Sequence, residues 1–291
     1  MGGYGPPLDR LLTIREEPGS GFVWNDYLAL GIGPEHVPDL IRMATDPDLY
    51  EASSQSPEVW APVHAWRALG QLRAEAAAAP LMEILFHRSE NESDDWASEN
   101  LPTALGMIGP VAISAAAAIF EDESRGRFTR IDAARVLSAI GLEHPEARDQ
   151  CVATLSRSLE RAEWHDLALN GFVVSELIAL DAKEAAGVIE RAYAGDFVDD
   201  SISGSWHDVW HDLDLEGEPP PRTERKHRPD FGLLPNLLDA FELYENEPPP
   251  PSDSPGGWQP VEVRTPEERK DRNKARQKLE QKVKGKKGKK R

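Results

Sequence analysis

Ala104-Leu105-Gly106-Met107-Ile108-Gly109 is the stretch whose reading decides the fold, because variants of it return along the chain. Upstream stand Ala29-Leu30-Gly31-Ile32-Gly33 and Ala68-Leu69-Gly70-Gln71-Leu72. Downstream come the looser Val136-Leu137-Ser138-Ala139-Ile140-Gly141 and the weakest copy, Glu176-Leu177-Ile178-Ala179-Leu180. The leucines step by 39, 36, 32 and 40 residues. Self-similarity at such a period means a stacked array in which each unit is a pair of helices.

One unit shows the physics. His64 to Leu69 predicts a first helix ending near Gly70, and Ala76 to Phe86 a second, with Pro80, Leu81, Ile84 and Leu85 at helical spacing. The next unit predicts helices over 96–105 and 111–120, joined by a turn through Gly106 and Gly109-Pro110. Further pairs are expected at 131–140 with 147–159, and at 169–180 with 183–193. Alanines at 74 and 76–79 permit close approach of helices. Each pair has an apolar side that it buries only against its neighbours.

Over residues 24–195 the chain resembles the HEAT-like repeat family, including the short bacterial version named after phycobilisome lyases. The resemblance implies an all-α fold, an α-solenoid of about five HEAT-like helix pairs. Residues 194–206, with Leu213 and Leu215, are similar to the closing end of uncharacterised bacterial helical-repeat proteins. Some of those carry a zinc-binding, Cys-rich tail related to the SecA C-terminus. Cys151 is the one cysteine here, so no such zinc site is carried over. Its neighbours suggest a buried structural thiol.

The expected organisation is an N-terminal lead-in (1–23), the repeat solenoid (24–215), a Pro-rich acidic segment (216–263) and a basic tail (264–291). Pro219–Pro221 and Pro248–Pro251 bracket the third segment and cannot continue a helix. Between them Leu233, Leu234, Leu237, Leu238 and Phe241 predict a short amphipathic helix that caps the last repeat or serves as a linear motif for a partner groove. Thr265-Pro266-Glu267-Glu268 is a helix start with a capping box. The helix it starts shows only Ala275, Leu279 and Val283 on one side, and Lys284 to Arg291 are low-complexity and expected to be disordered.

Charge divides in the same place. The 28 residues 264–291 hold 14 Lys+Arg and 4 Asp+Glu, a net of +10. Residues 1–263 hold the other 19 basic and 47 acidic residues, a net of −28. An acidic body with a basic tail is expected. The tail residues Lys284, Lys286, Lys287, Lys289, Lys290 and Arg291 are the candidate partner-binding set. No aromatic follows Trp258, so any nucleic-acid contact is weak and sequence-independent, through phosphates. Contact with the acidic body and plain solvation are the competing expectations. A body of −28 does not suit HEAT-like DNA glycosylases, whose concave face meets phosphates.

His207-Asp208-Val209-Trp210-His211 is the sharpest catalytic-looking string. Two histidines four apart share a helix face, as in HExxH zinc proteases, but Asp stands where the general-base Glu belongs and no third ligand is near. His207 and His211 are therefore only candidate metal ligands. The simpler reading is a closing helix whose apolar face is Ile202, Trp206, Val209, Trp210 and Leu213. The deoxyhypusine hydroxylase of this repeat class needs His-Glu dipeptides, and this chain has only the reversed Glu35-His36 and Glu143-His144, at turns. No Gly-rich phosphate loop, nucleophile elbow or kinase signature is present. Glu90, Glu92, Asp94 and Asp95 read as a solvated loop.

The expectation is a non-enzymatic interaction scaffold with no cofactor, an unidentified protein partner and no membrane. The alternative is a HEAT-like enzyme or lyase working in the solenoid groove, where His165, His207 or His211 would join carboxylates. The N-terminus lacks the basic start and apolar run of a signal peptide, and no stretch approaches the roughly 18 apolar residues of a membrane span. A cytoplasmic location is expected.

Overall fold

The computed structural model describes residues 3–15, 24–91 and 95–222, all within one compact unit, Met1–Asp230. These residues are helical throughout, with no strand among them. Short 3-10 turns connect twelve α-helices: α1 (Val37–Ala44), α2 (Pro47–Tyr50), α3 (Ala61–Gln71), α4 (Ala78–Asn91), α5 (Asp95–Ile108), α6 (Ile113–Glu121), α7 (Arg127–Glu143), α8 (Arg148–Leu159), α9 (Leu167–Ala179), α10 (Ala186–Ala194), α11 (Asp200–Ser203) and α12 (Trp206–Asp212).

The helices pack in two layers. The first helices α1, α3, α5, α7, α9 and α11 each touch the next in that order. The second helices α4, α6, α8, α10 and α12 do the same on the other side. The core lies between the layers, and the phrase leucines Leu69, Leu105, Leu137 and Leu177 are all wholly buried in it.

The glycine of the phrase has a different job from the one its sequence suggests. Gly106 does not end a helix; it lies inside α5. A Cβ there would stand 2.6 Å from Ala139 Cβ and 2.9 Å from that residue's carbonyl carbon, on α7. A Cβ at Gly70 of α3 would meet Ala104 Cα of α5 at 3.0 Å. Both contacts join points near the C-terminal ends of their helices, so the first helices run in parallel and in register. The glycines let their backbones touch.

The actual turn comes four residues after the leucine. Arg73, Gly109 and Asp181 take left-handed φ values of 51°, 103° and 52°. Behind two of them the chain closes a wide backbone loop, with Ala74 N–H donating to Leu69 O (3.1 Å) and Ala182 N–H to Leu177 O (3.0 Å). This satisfies carbonyls that the helix end leaves open. Arginines cover others from the side. Arg148, which opens α8, donates to Leu180 O (2.9 Å) and Asp181 O (2.9 Å) at the end of α9. A cation there also suits the negative end of the helix dipole.

Three local expectations are corrected. Ala29-Leu30-Gly31 lies in a 3-10 turn, Leu28–Leu30, closed by left-handed Gly31, because the glycine follows too soon for a helix to form. The closing helix is two helices, broken at Gly204 (φ 85°), so Ile202 belongs to α11 and the others to α12 or its end. Glu90 falls in α4 and Asp95 opens α5, so the loop expected there narrows to 92–94, outside the described residues. The amphipathic segment 233–241 and the basic tail also lie outside them.

The N-terminal residues pack on the body. Leu8, Leu11 and Tyr27 are buried with the core. Tyr27 shares a hydrogen bond with His64 Nδ1 (2.8 Å), and Ile14 O lies 3.2 Å from His64 Nε2. Cys151 is buried as expected, and burial pushes its thiol up to about 11. Among the described residues no single helix is long and apolar enough to cross a membrane.

Candidate binding surfaces

The histidine pair sits on α12, between two structural jobs. Ser205 and Asp208 form a capping box at its start: Ser205 N–H and Ser205 Oγ both lie 2.9 Å from Asp208 Oδ2. The acid that would replace the protease glutamate therefore holds the helix end. His207 Nδ1 lies 2.7 Å from Pro220 O and so donates to it, fixing the strap that follows the helix. The His211 ring meets His207 edge-on, with centroids 4.7 Å apart, and Trp210 at 5.1 Å. Among the described residues no three His, Cys, Asp or Glu side chains come together in a metal-binding group.

Beside this pair lies a groove of about 410 Å³, lined by Trp206, Trp210, Leu215, Glu190, Glu216 and Glu218 among others. A larger groove of about 810 Å³ lies between α2 and α4, with Glu51, Glu83 and His87 on its walls. There Arg88 already occupies the aromatic face, its guanidinium 3.7 Å from the Tyr50 ring centre. His165 lines neither groove. It contacts Ser158 Oγ (3.3 Å), and burial, then Arg130, holds its imidazolium below the usual range. His165 is thus not brought together with His207 or His211. His36 caps its own turn, accepting from Gly33 N–H (3.0 Å), and His144 lies 3.4 Å from Met107 O.

Polar side chains on the first helices are used between neighbours. Arg67 Nε donates to Asn100 Oδ1 (2.8 Å), and Ser98 Oγ to Asp132 Oδ2 (2.8 Å). Asp132 also pairs with Arg135 at 3.6 Å. These bonds join α3 to α5 and α5 to α7.

A second surface is apolar and was not anticipated. Trp60, Trp96 and Phe128 each stand nine residues before a phrase leucine, which puts them at the N-terminal ends of α3, α5 and α7. The first two rings stack with centroids 4.2 Å apart. Phe128 is 54% exposed, and on the adjoining turn into α9 Trp164 is 74% and Leu167 36% exposed. Arg127 reaches from α7 to Asp166 at the start of α9 (3.4 Å), which ties these two ends together. The constant offset of nine residues was the available signal.

No protein-family model, curated protein or solved structure matches this chain.

Proposed function

We propose that this chain is a HEAT-like α-solenoid that works as a non-enzymatic scaffold for protein partners in the cytoplasm. The observation that carries the reading is the exposed aromatic edge of Phe128 and Trp164 on an otherwise closely packed helix stack. Large aromatics left open at the ends of packed helices serve binding more readily than folding, and such residues dominate the energy of protein interfaces. The two helix layers and their in-register crossings support the solenoid. In the same reading the tail residues Lys284, Lys286, Lys287, Lys289, Lys290 and Arg291 hold acidic partners, nucleic-acid phosphates among them.

The test is affinity capture with the wild type and with a Phe128→Ser/Trp164→Ser variant of matched thermal stability. A defined set of captured proteins that the variant loses supports the scaffold; identical capture by both removes this edge as its surface. For the tail, RNA binding by the full chain is titrated with salt, alongside a variant with its six terminal cations changed to glutamine. Affinity that falls steeply with salt and disappears in the variant is expected.

A further inference from the structure

We propose that the groove between α10 and α12 is a binding site for a lysine- or arginine-rich peptide of a partner protein. It lies on other residues than the aromatic edge and has its own chemistry.

Arginines stand over Tyr4 (4.0 Å), Tyr50 (3.7 Å) and Phe86 (3.9 Å), and more loosely over Phe128 (5.0 Å) and Trp24 (5.5 Å). Trp206 and Trp210 present indoles, the strongest rings for a cation. Among the described residues no arginine or lysine stacks on either. Three carboxylates stand around them instead, and none of the groove's lining residues is basic.

Two neighbouring cations are not among the residues that line the groove. Lys183 Nζ is turned to Asp214, donating to its backbone carbonyl at 3.1 Å and meeting its carboxylate at 3.5 Å. Arg191, one turn after Gly187, is exposed on α10. A Cβ at Gly187 would stand in ordinary contact with Arg191 Nη1 at 3.7 Å, so the Arg191 head lies beside the groove without being among its lining residues. The far lip is fixed, because Pro220 is held by His207 and Leu215 N–H donates to Trp210 O at 3.2 Å. Two tryptophans and three glutamates lining one groove suit an alkyl-ammonium or guanidinium side chain. Its stem lies on the rings and its head meets Glu190, Glu216 and Glu218.

The probe is N-acetyl-tetralysine amide, titrated into the full chain at about 0.15 M salt, where long-range attraction to the acidic body is screened. Acetyl-tetraglutamate amide is the charge-reversed control. The expected result is movement of the Trp206 and Trp210 indole resonances by the lysine peptide alone. Trp210→Leu, which keeps apolar bulk but removes the ring, should weaken binding about tenfold. Glu216→Gln/Glu218→Gln, on an exposed strap where neither change strains the fold, should weaken it by a similar factor, and Glu75→Gln/Glu99→Gln elsewhere by less than about twofold. The proposal is overturned if Trp210→Leu and the strap pair both bind like the wild type. It is equally overturned if the remote pair weakens binding as much as the strap pair, since the peptide would then see only net charge.

Discussion

The centre of the stack and its C-terminal end are held by different forces. Between α5 and α7 the contact is backbone on backbone, Gly106 against Ala139, with Leu105 and Leu137 wholly buried behind it. Between α9 and α12 the units are short and polar bonds tie them. Asn170 donates to Ala162 O (2.9 Å) and Phe197 O (2.7 Å), Asp199 N–H to Leu167 O (3.0 Å), and Tyr193 to Gly204 O (2.8 Å). A repeating unit is buried by its neighbours on both sides; among the described residues the last unit has a neighbour on one side only. It closes with directed hydrogen bonds that satisfy backbone groups the stack no longer covers.

The largest effect should therefore come from the centre. Leu105→Ala removes a wholly buried side chain from a site fixed on both sides, and a loss of about 2–5 kcal/mol is expected in denaturant unfolding. A loss well below 1 kcal/mol would mean that the centre relaxes as freely as an end. At the C-terminal end, Asn170→Ala strips one buried and one half-buried carbonyl of their donor and should cost about 2–3 kcal/mol. Hydrogen exchange should locate that loss at 162–204. If protection falls equally at α5, the two regions unfold as one and the contrast fails.

Glycines sharpen the comparison, because identical substitutions should have opposite signs. Gly106→Ala gains helix propensity but drives a Cβ into Ala139 and its backbone, and a net loss of about 1–3 kcal/mol is expected. Gly187→Ala in α10 meets only an ordinary contact, Arg191 Nη1 at 3.7 Å, and should stabilise by about 0.5 kcal/mol. Equal effects at both would show that propensity, not helix crossing, explains the phrase glycine.

The same contrast decides what could be read from the sequence. The period placed every first helix from α3 to α9, because the burial that fixes Leu69, Leu105, Leu137 and Leu177 repeats with it. It misjudged Gly106, since a glycine that ends a helix and one that lets two helices touch look alike without the partner. It placed a helix phrase at Leu30, where left-handed Gly31 closes a three-residue 3-10 turn instead. The ends depend on single long-range bonds, such as Tyr27 to His64 and His207 to Pro220, that no periodicity encodes. The histidine pair was legible as the flank of a closing helix; that Asp208 turns back to Ser205 as its cap was not. The aromatic edge was readable from its fixed offset, but only once the leucines were known to mark helix ends.

The smallest effect tests the interior by pH. Glu176 reaches from α9 toward α7, and burial raises its carboxyl above the usual range, while Ser138 and Arg135 pull the other way. A raised carboxyl pKa means that the folded state holds its proton more tightly than the unfolded chain. Below the ordinary carboxylate range both states are protonated and nothing is lost. As pH rises, the unfolded chain ionises first and the fold is progressively disfavoured, until the folded pKa is passed. Glu176→Gln removes that titration. Relative to the wild type, the variant should gain stability as pH rises above the ordinary carboxylate range of about 4. The thermal midpoints of both proteins along that rise give the answer directly. A difference that stays constant with pH would show that Arg135 compensates the buried charge fully. The centre of the stack would then also be holding itself by a directed polar bond, as its end does.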